Sequence, residues 1–188
     1  MENRYSILRL MSIGAALMTA SWLQAQDVLV TLEAEKGRIT LPAKVKPVDG
    51  STVEGISGGK YVGDNDPGSS IVFNDVEVPE AGTYELKVYS MGSSRALTIK
   101  VNHYQKSIIR TKDSPNWDNA PTSMVSTLIY LDKGTNTLTF GLHEDNGPNI
   151  DKFEICTTTE EIDKPEVEKI AYSYDFTDEA EKILRLAC

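Results

Sequence analysis

Residues 81–102 read AGTYELKVYSMGSSRALTIKVN, and their alternation decides the fold. Tyr84, Leu86 and Val88 alternate with Glu85, Lys87 and Tyr89. Beyond Met91-Gly92-Ser93-Ser94, Leu97, Ile99 and Val101 alternate with Thr98, Lys100 and Asn102. Successive side chains of an extended chain point to opposite faces, so a period of two means strands with one face buried. The glycine-containing turn between the two runs makes them neighbours in an antiparallel sheet.

The same period extends outward. Leu138, Phe140 and Leu142 repeat it across 135–142, and Ile71 and Phe73 repeat it before Val76 and Val78, where the phase slips by one residue. A bulge at Asn74-Asp75 absorbs that slip. Pro79-Glu80-Ala81-Gly82 and Asp132-Lys133-Gly134 supply further turns. From Asp27 to Cys156 the strands are short and closely spaced, with no helical run between them and no internal repeat. This predicts an all-β body of two antiparallel sheets packed face to face.

The 188 residues suit one domain. With 40% apolar and 25% charged residues, wholesale disorder and a fibrous repeat are excluded. The 19 basic and 28 acidic residues leave a net charge of −9, a field that repels polyphosphates, so no nucleic-acid partner is expected. Cys156 and Cys188 allow one disulfide at most, which excludes a cysteine-stapled mini-domain.

Arg4 and Arg9 precede an apolar run at 10–20, and Leu23-Gln24-Ala25 precedes the polar Gln26-Asp27. This is the pattern of a secretory signal peptide over 1–25. The alternative is a membrane helix, but such a run covers about 16 Å against a hydrocarbon core of about 30 Å. Cleavage leaves a mature chain without a membrane span, secreted or held in the periplasm or at the cell surface. After the body at 27–157, an acidic linker and tail over 158–188 begins; 157–188 carries a net charge of −5. Within it, 177–186 places Ala180, Ile183, Leu184 and Leu186 at helical spacing. Such a tail is too short for its own core, so it packs on another surface or opens a further domain.

Several residues break the alternation. Glu33 and Glu35 lie two apart in what reads as one strand over 28–35, which projects both carboxylates from one face. Asp151 shares the phase of Phe153 and Ile155 and stands at the entrance of a buried face. A buried carboxylate needs a partner or a metal, and three hard oxygen donors suit Ca²⁺; the alternative is solvation or pairing with Lys36 and Arg38. Trp117 stands in the polar loop 113–121, where an indole face suits the C–H face of a sugar ring and Asn and Asp suit its hydroxyls. The alternative is a tryptophan folded back as a loop plug. Asn149, and Tyr61 in the glycine-rich 58–64, are the other loop candidates.

Taken in order, Glu33-Ala34-Glu35, 58–63, 78–84, 95–102, Trp117, 134–138 and Asn149-Ile150-Asp151 resemble the carbohydrate-binding modules of families 6 and 35. The resemblance covers 28–156. It implies a jelly-roll β-sandwich, a structural calcium held by Glu33, Glu35 and Asp151, and a sugar site in the loops at one end. In that site the family's aromatic and asparagine map onto Trp117 and Asn149, with Tyr61 a looser candidate. Two positions depart from the pattern: His103 replaces a glycine, and Asn119-Ala120-Pro121 stands where a second tryptophan is common.

No catalytic pair is singled out. Glycoside hydrolysis needs two carboxyls flanking the bond, whereas Glu33, Glu35 and Asp151 are accounted for as metal ligands and Asp113, Asp118, Glu144 and Asp145 as loop acids. His103 and His143 are isolated, without a nucleophile elbow or a zinc motif. The expectation is a secreted, non-catalytic module binding a polysaccharide or oligosaccharide, attached to or associated with a glycan-active enzyme. The alternatives are a structural or adhesive sandwich whose sugar site has decayed, and the N-terminal fragment of a glycoside hydrolase.

Overall fold

A computed structural model describes residues 26–48, 56–118, 122–143 and 146–169. The signal segment, the helical spacing at 177–186, Cys188, Glu144, Asp145 and 119–121 lie outside them. The strands are β1 (Val28–Glu33), β2 (Arg38–Thr40), β3 (Lys44–Pro47), β4 (Lys60–Gly63), β5 (Ser70–Val78), β6 (Gly82–Met91), β7 (Ala96–Val101), β8 (Ser107–Arg110), β9 (Ser123–Leu131), β10 (Gly134–Leu142) and β11 (Asn149–Cys156). They form two antiparallel sheets. One runs β3-β4-β11-β6-β9 with β1 also beside β11, and the other runs β2-β5-β10-β7-β8. The alternation expected in β6, β7 and β10 holds: Tyr84, Leu86, Val88, Leu97, Ile99, Val101, Leu138 and Phe140 are all buried.

Both sheets meet at a trio of phenylalanines. Phe140 of β10 stacks on Phe153 of β11 with centroids 3.7 Å apart, and Phe73 of β5 meets both edge-on at 6.2 and 6.0 Å. Each such pair adds about 0.5–1.5 kcal/mol beyond area burial. The expected bulge in β5 is present, since Phe73 and Val76 face Leu138 and Asn136, leaving Asn74 and Asp75 opposite a single residue. A second bulge lies in β11, where Ile150 and Lys152 face the consecutive residues Ser90 and Tyr89.

The antiparallel order sorts the loops by end. Those after β4, β6, β8 and β10 gather at one end; those after β5, β7 and β9 gather at the other, where β11 also finishes. The segment expected as a linker lies against this second end over its described part. Ile162 N–H donates to Thr83 Oγ1 at 3.0 Å, Gln105 N–H to the Glu166 carbonyl at 3.0 Å, and Glu168 N–H to the His103 carbonyl at 2.8 Å. Lys164 reaches Asp132 at 2.9 Å and lies over the rings of Tyr104 and Tyr130. Asp132 also accepts the hydroxyl of the buried Tyr104 and the amide of Asn102. These donors hold its carboxyl below the usual range, Lys164 contributing most.

Asp132→Ala strips the buried Tyr104 hydroxyl of its acceptor, and urea unfolding should show a loss of about 1–3 kcal/mol. Lys164→Ala, at the exposed end of the same network, should cost less. Equal losses would mean that the contact from Lys164, not the buried hydroxyl, holds this end together.

Candidate functional site

The three predicted metal ligands converge, by a route different from the expected one. β1 stops at Glu33, and Ala34–Lys36 is a 3-10 turn closed by the Gly37 amide on the Ala34 carbonyl. Ala34 is fully buried, so the chain must turn at the core to keep it there. Glu35 thus reaches the site from a turn and not from two-residue strand alternation. Asp151 is fully buried, as are Phe153 and Ile155 of the same strand. The β11 bulge lets both Ile150 and Phe153 enter the core, and Asp151 lies at the bulge, in the gap where the neighbour of β11 changes from β4 to β1.

That gap is filled by Ser57 and Gly58. The Ser57 amide donates to Asp151 Oδ1 at 2.9 Å and its hydroxyl to Glu33 Oε1 at 2.5 Å. Gly58, at φ +62°, leaves a cradle: a Cβ there would stand 3.1 Å from Glu35 Oε1 and 3.9 Å from Glu33 Oε2. The remaining oxygens, Glu33 Oε2, Glu35 Oε2 and Asp151 Oδ2, are buried without a hydrogen-bond partner. Burial, assisted by the neighbouring Glu33 and Glu35 charges, pushes the Asp151 carboxyl up to about 7. Among the described residues, no group of three His, Cys, Asp or Glu side chains forms a ready metal-binding set by itself. Ca²⁺ takes about six to eight oxygens, so three carboxylates are a partial shell that carbonyls and water complete. The orphaned oxygens are the stronger guide, because unpaired buried oxygens of like-charged acids are costly without a cation. Carboxylate oxygens are the hard donors that a divalent ion takes.

At the loop end, an open pocket of about 330 Å³ brings together Trp117, Asn149, Arg95, Lys46 and Asp64. Trp117 is 42% exposed. Its six-membered ring rests on Gly92, where a Cβ would come 2.4 Å from Cε3, and Gly92 has φ +99°, so glycine is required twice over. Asn149 is buried and donates Nδ2 to the Trp117 carbonyl at 2.6 Å. Tyr61 is also buried; its ring lies with Val48, Ile56 and Met91, and its hydroxyl donates to Asp118 Oδ1 at 2.8 Å. Of the three sugar-site candidates, only Trp117 presents a broad surface outward.

Sequence reasoning missed three contributors. Arg95 lines the pocket with its Nε buried and without a hydrogen-bond partner. Lys46 binds Asp64 at 2.5 Å, and the lysine pair at 44 and 46 holds that carboxyl below the usual range, Lys46 contributing most. Asn65 ties two rim loops by donating to the Pro148 carbonyl at 2.6 Å while its own carbonyl accepts the Gly147 amide at 2.7 Å. The polar run Asp64-Asn65-Asp66 and the cation opening β7 were visible, but nothing local says that they meet.

No family model and no curated protein matches the chain. Solved structures do. A family 35 carbohydrate binding module from Clostridium thermocellum is 30% identical with a TM-score of 0.56, covering 69% of this chain and 99% of that one. A CBM35 from Paenibacillus barcinonensis is 25% identical with a TM-score of 0.57, covering 69% and 99%. An exo-beta-1,3-galactanase from Phanerochaete chrysosporium, solved with beta-1,3-galactotriose, is 25% identical with a TM-score of 0.59; the match covers 67% of this chain and spans 29% of the galactanase.

The raised Asp151 carboxyl has a pH consequence. Between the ordinary value of 3.8 and about 7 the folded chain holds a proton that the unfolded chain releases. In chelator, stability should therefore fall as pH rises through that window, and Asp151→Asn, which keeps the acceptor for Ser57, should flatten the fall. Melting curves across pH 4 to 7 check it; parallel wild-type and mutant profiles would remove Asp151 as the source.

Proposed function

Because the β-sandwich of this chain belongs to family 35 of the carbohydrate-binding modules, we propose that it binds a saccharide in the loop-end pocket and carries a calcium ion between Glu33, Glu35 and Asp151. The observation carrying the saccharide reading is the half-open indole of Trp117 over a pocket edged by hydrogen-bonding side chains. A sugar ring offers both surfaces such a site matches: an apolar C–H face for the indole and hydroxyls for the polar edge. Arg95 Nε, short of a partner, is the donor most in need of a ligand oxygen.

The reading is of binding without catalysis. Asp64, the pocket carboxyl beside Lys46, is held ionised and cannot serve as a proton donor near neutrality. Asp118 has one oxygen committed to Tyr61. Calcium would supply positive charge to the three carboxylates of Glu33, Glu35 and Asp151, and so tie the end of β1 and the 57–58 turn to β11. Export through the 1–25 segment and a companion glycan-active enzyme belong to the same proposal.

Trp117→Ala should weaken every bound glycan together, by about 1–3 kcal/mol, as the loss of a packed aromatic anchor does. Calorimetric titration against the best ligand from a glycan array measures it; unchanged binding would make the tryptophan a plug. Calcium should raise the melting temperature and EDTA reverse the rise, since an ion that binds only the folded state stabilises it by mass action. Glu35→Gln should blunt the calcium effect. A melting temperature indifferent to both calcium and EDTA would remove the ion from the acid cluster.

A further inference from the structure

Three segments hold the chain that carries Trp117. The Gly92 amide donates to the Asn116 carbonyl at 2.9 Å and to Ser114 Oγ at 2.8 Å, and the Ser114 amide returns a bond to the Gly92 carbonyl. Asn149 grips the Trp117 carbonyl. Tyr61 grips the next side chain, Asp118. The Tyr61 contact differs in kind from the other two. Its ring is only 3% exposed, packed with Val48, Ile56 and Met91, so its face cannot meet a ligand while its hydroxyl ends on the loop.

We propose that Tyr61 is a positioning residue: a rigid rod from the small apolar cluster to Asp118 that sets the orientation of the Trp117 platform and touches no sugar itself. This rests on the saccharide reading of the pocket. A buried phenol has one rotatable hydroxyl and a ring locked by packing, so it transmits the position of the core to the loop with little loss to motion. Its charge-assisted bond to a carboxylate is also stronger than a neutral one. Asn149, which lines the pocket and gives its Nδ2 to the Trp117 carbonyl, holds the same loop from the other side.

The test is Tyr61→Phe in the full chain carrying Trp22→Phe, so that Trp117 is the sole tryptophan. Phenylalanine keeps the ring in its cluster and removes the hydroxyl that donates to Asp118. Acrylamide quenching of Trp117 should rise without any sugar present. Affinity should fall about tenfold, the effect of one hydrogen bond to a charged group, and fall equally across glycans. Asp118→Ala should reproduce both changes and add nothing to Tyr61→Phe, whereas Asp118→Asn, which retains the acceptor, should restore them toward wild type. A sugar-contacting tyrosine would give the opposite pattern, with quenching unchanged and losses that differ from glycan to glycan, and that result overturns the proposal. If no glycan binds the parent chain, the saccharide reading fails, and the quenching comparison still decides whether Tyr61 positions the indole.

Discussion

Strand β11 is the constraint on which the rest depends. It lies between β6 on one side and, on the other, β4 at its start and β1 over the remainder. Phe153 and Ile155 enter the core from it, Asn149 braces the pocket loop, Asp151 enters the acid cluster, and the strand ends where the C-terminal strap begins. A regular strand could not serve all of these, because Ile150 and Phe153, three residues apart, would face opposite ways. The bulge between Ile150 and Lys152 lets both enter the core and leaves Asp151 at the change of neighbour. The loss of one regular register position gives the molecule its candidate cation site.

The two ends of the sandwich have different physical characters. At the pocket end, polar groups are left short of partners, as Arg95 is, or are spent on one another at the rim, as Lys46 and Asp64 are. At the far end, polar groups are satisfied within the chain: Asp132 gathers Tyr104, Asn102 and Lys164, and Asn136 closes the turn by accepting from the Asp132 amide. Unsatisfied donors suit a surface that meets a ligand, and satisfied ones suit a surface that carries the chain onward. Over its described part, as far as Lys169, the C-terminal segment stays at the satisfied end.

Both candidate sites draw on the same two short segments. Ser57 answers Glu33 and Asp151, and four residues later Tyr61 answers Asp118. Asn149 answers Trp117, and two residues later Asp151 joins the acids. The acid cluster and the pocket loop are therefore held by the same short segments.

Much was legible from sequence because it is local. The alternation in β6, β7 and β10, the slip at Asn74-Asp75 and the turns at Gly82 and Gly134 depend only on neighbours along the chain, and the structure keeps them. The resemblance to carbohydrate-binding modules also named Glu33, Glu35 and Asp151 together, although the strand geometry first used to align the two glutamates was replaced by a turn at the buried Ala34. What sequence alone could not decide was which polar groups spend themselves on each other. Asn149 and Tyr61 have suitable chemistry for a sugar, and tertiary packing buries both and gives each a bond to the Trp117 loop, with Asn149 still lining the pocket, while Arg95 is left with a free Nε donor there. Those outcomes follow from loops that lie far apart in sequence meeting at one end of the sandwich, and only the assembled sheets bring them within hydrogen-bond reach.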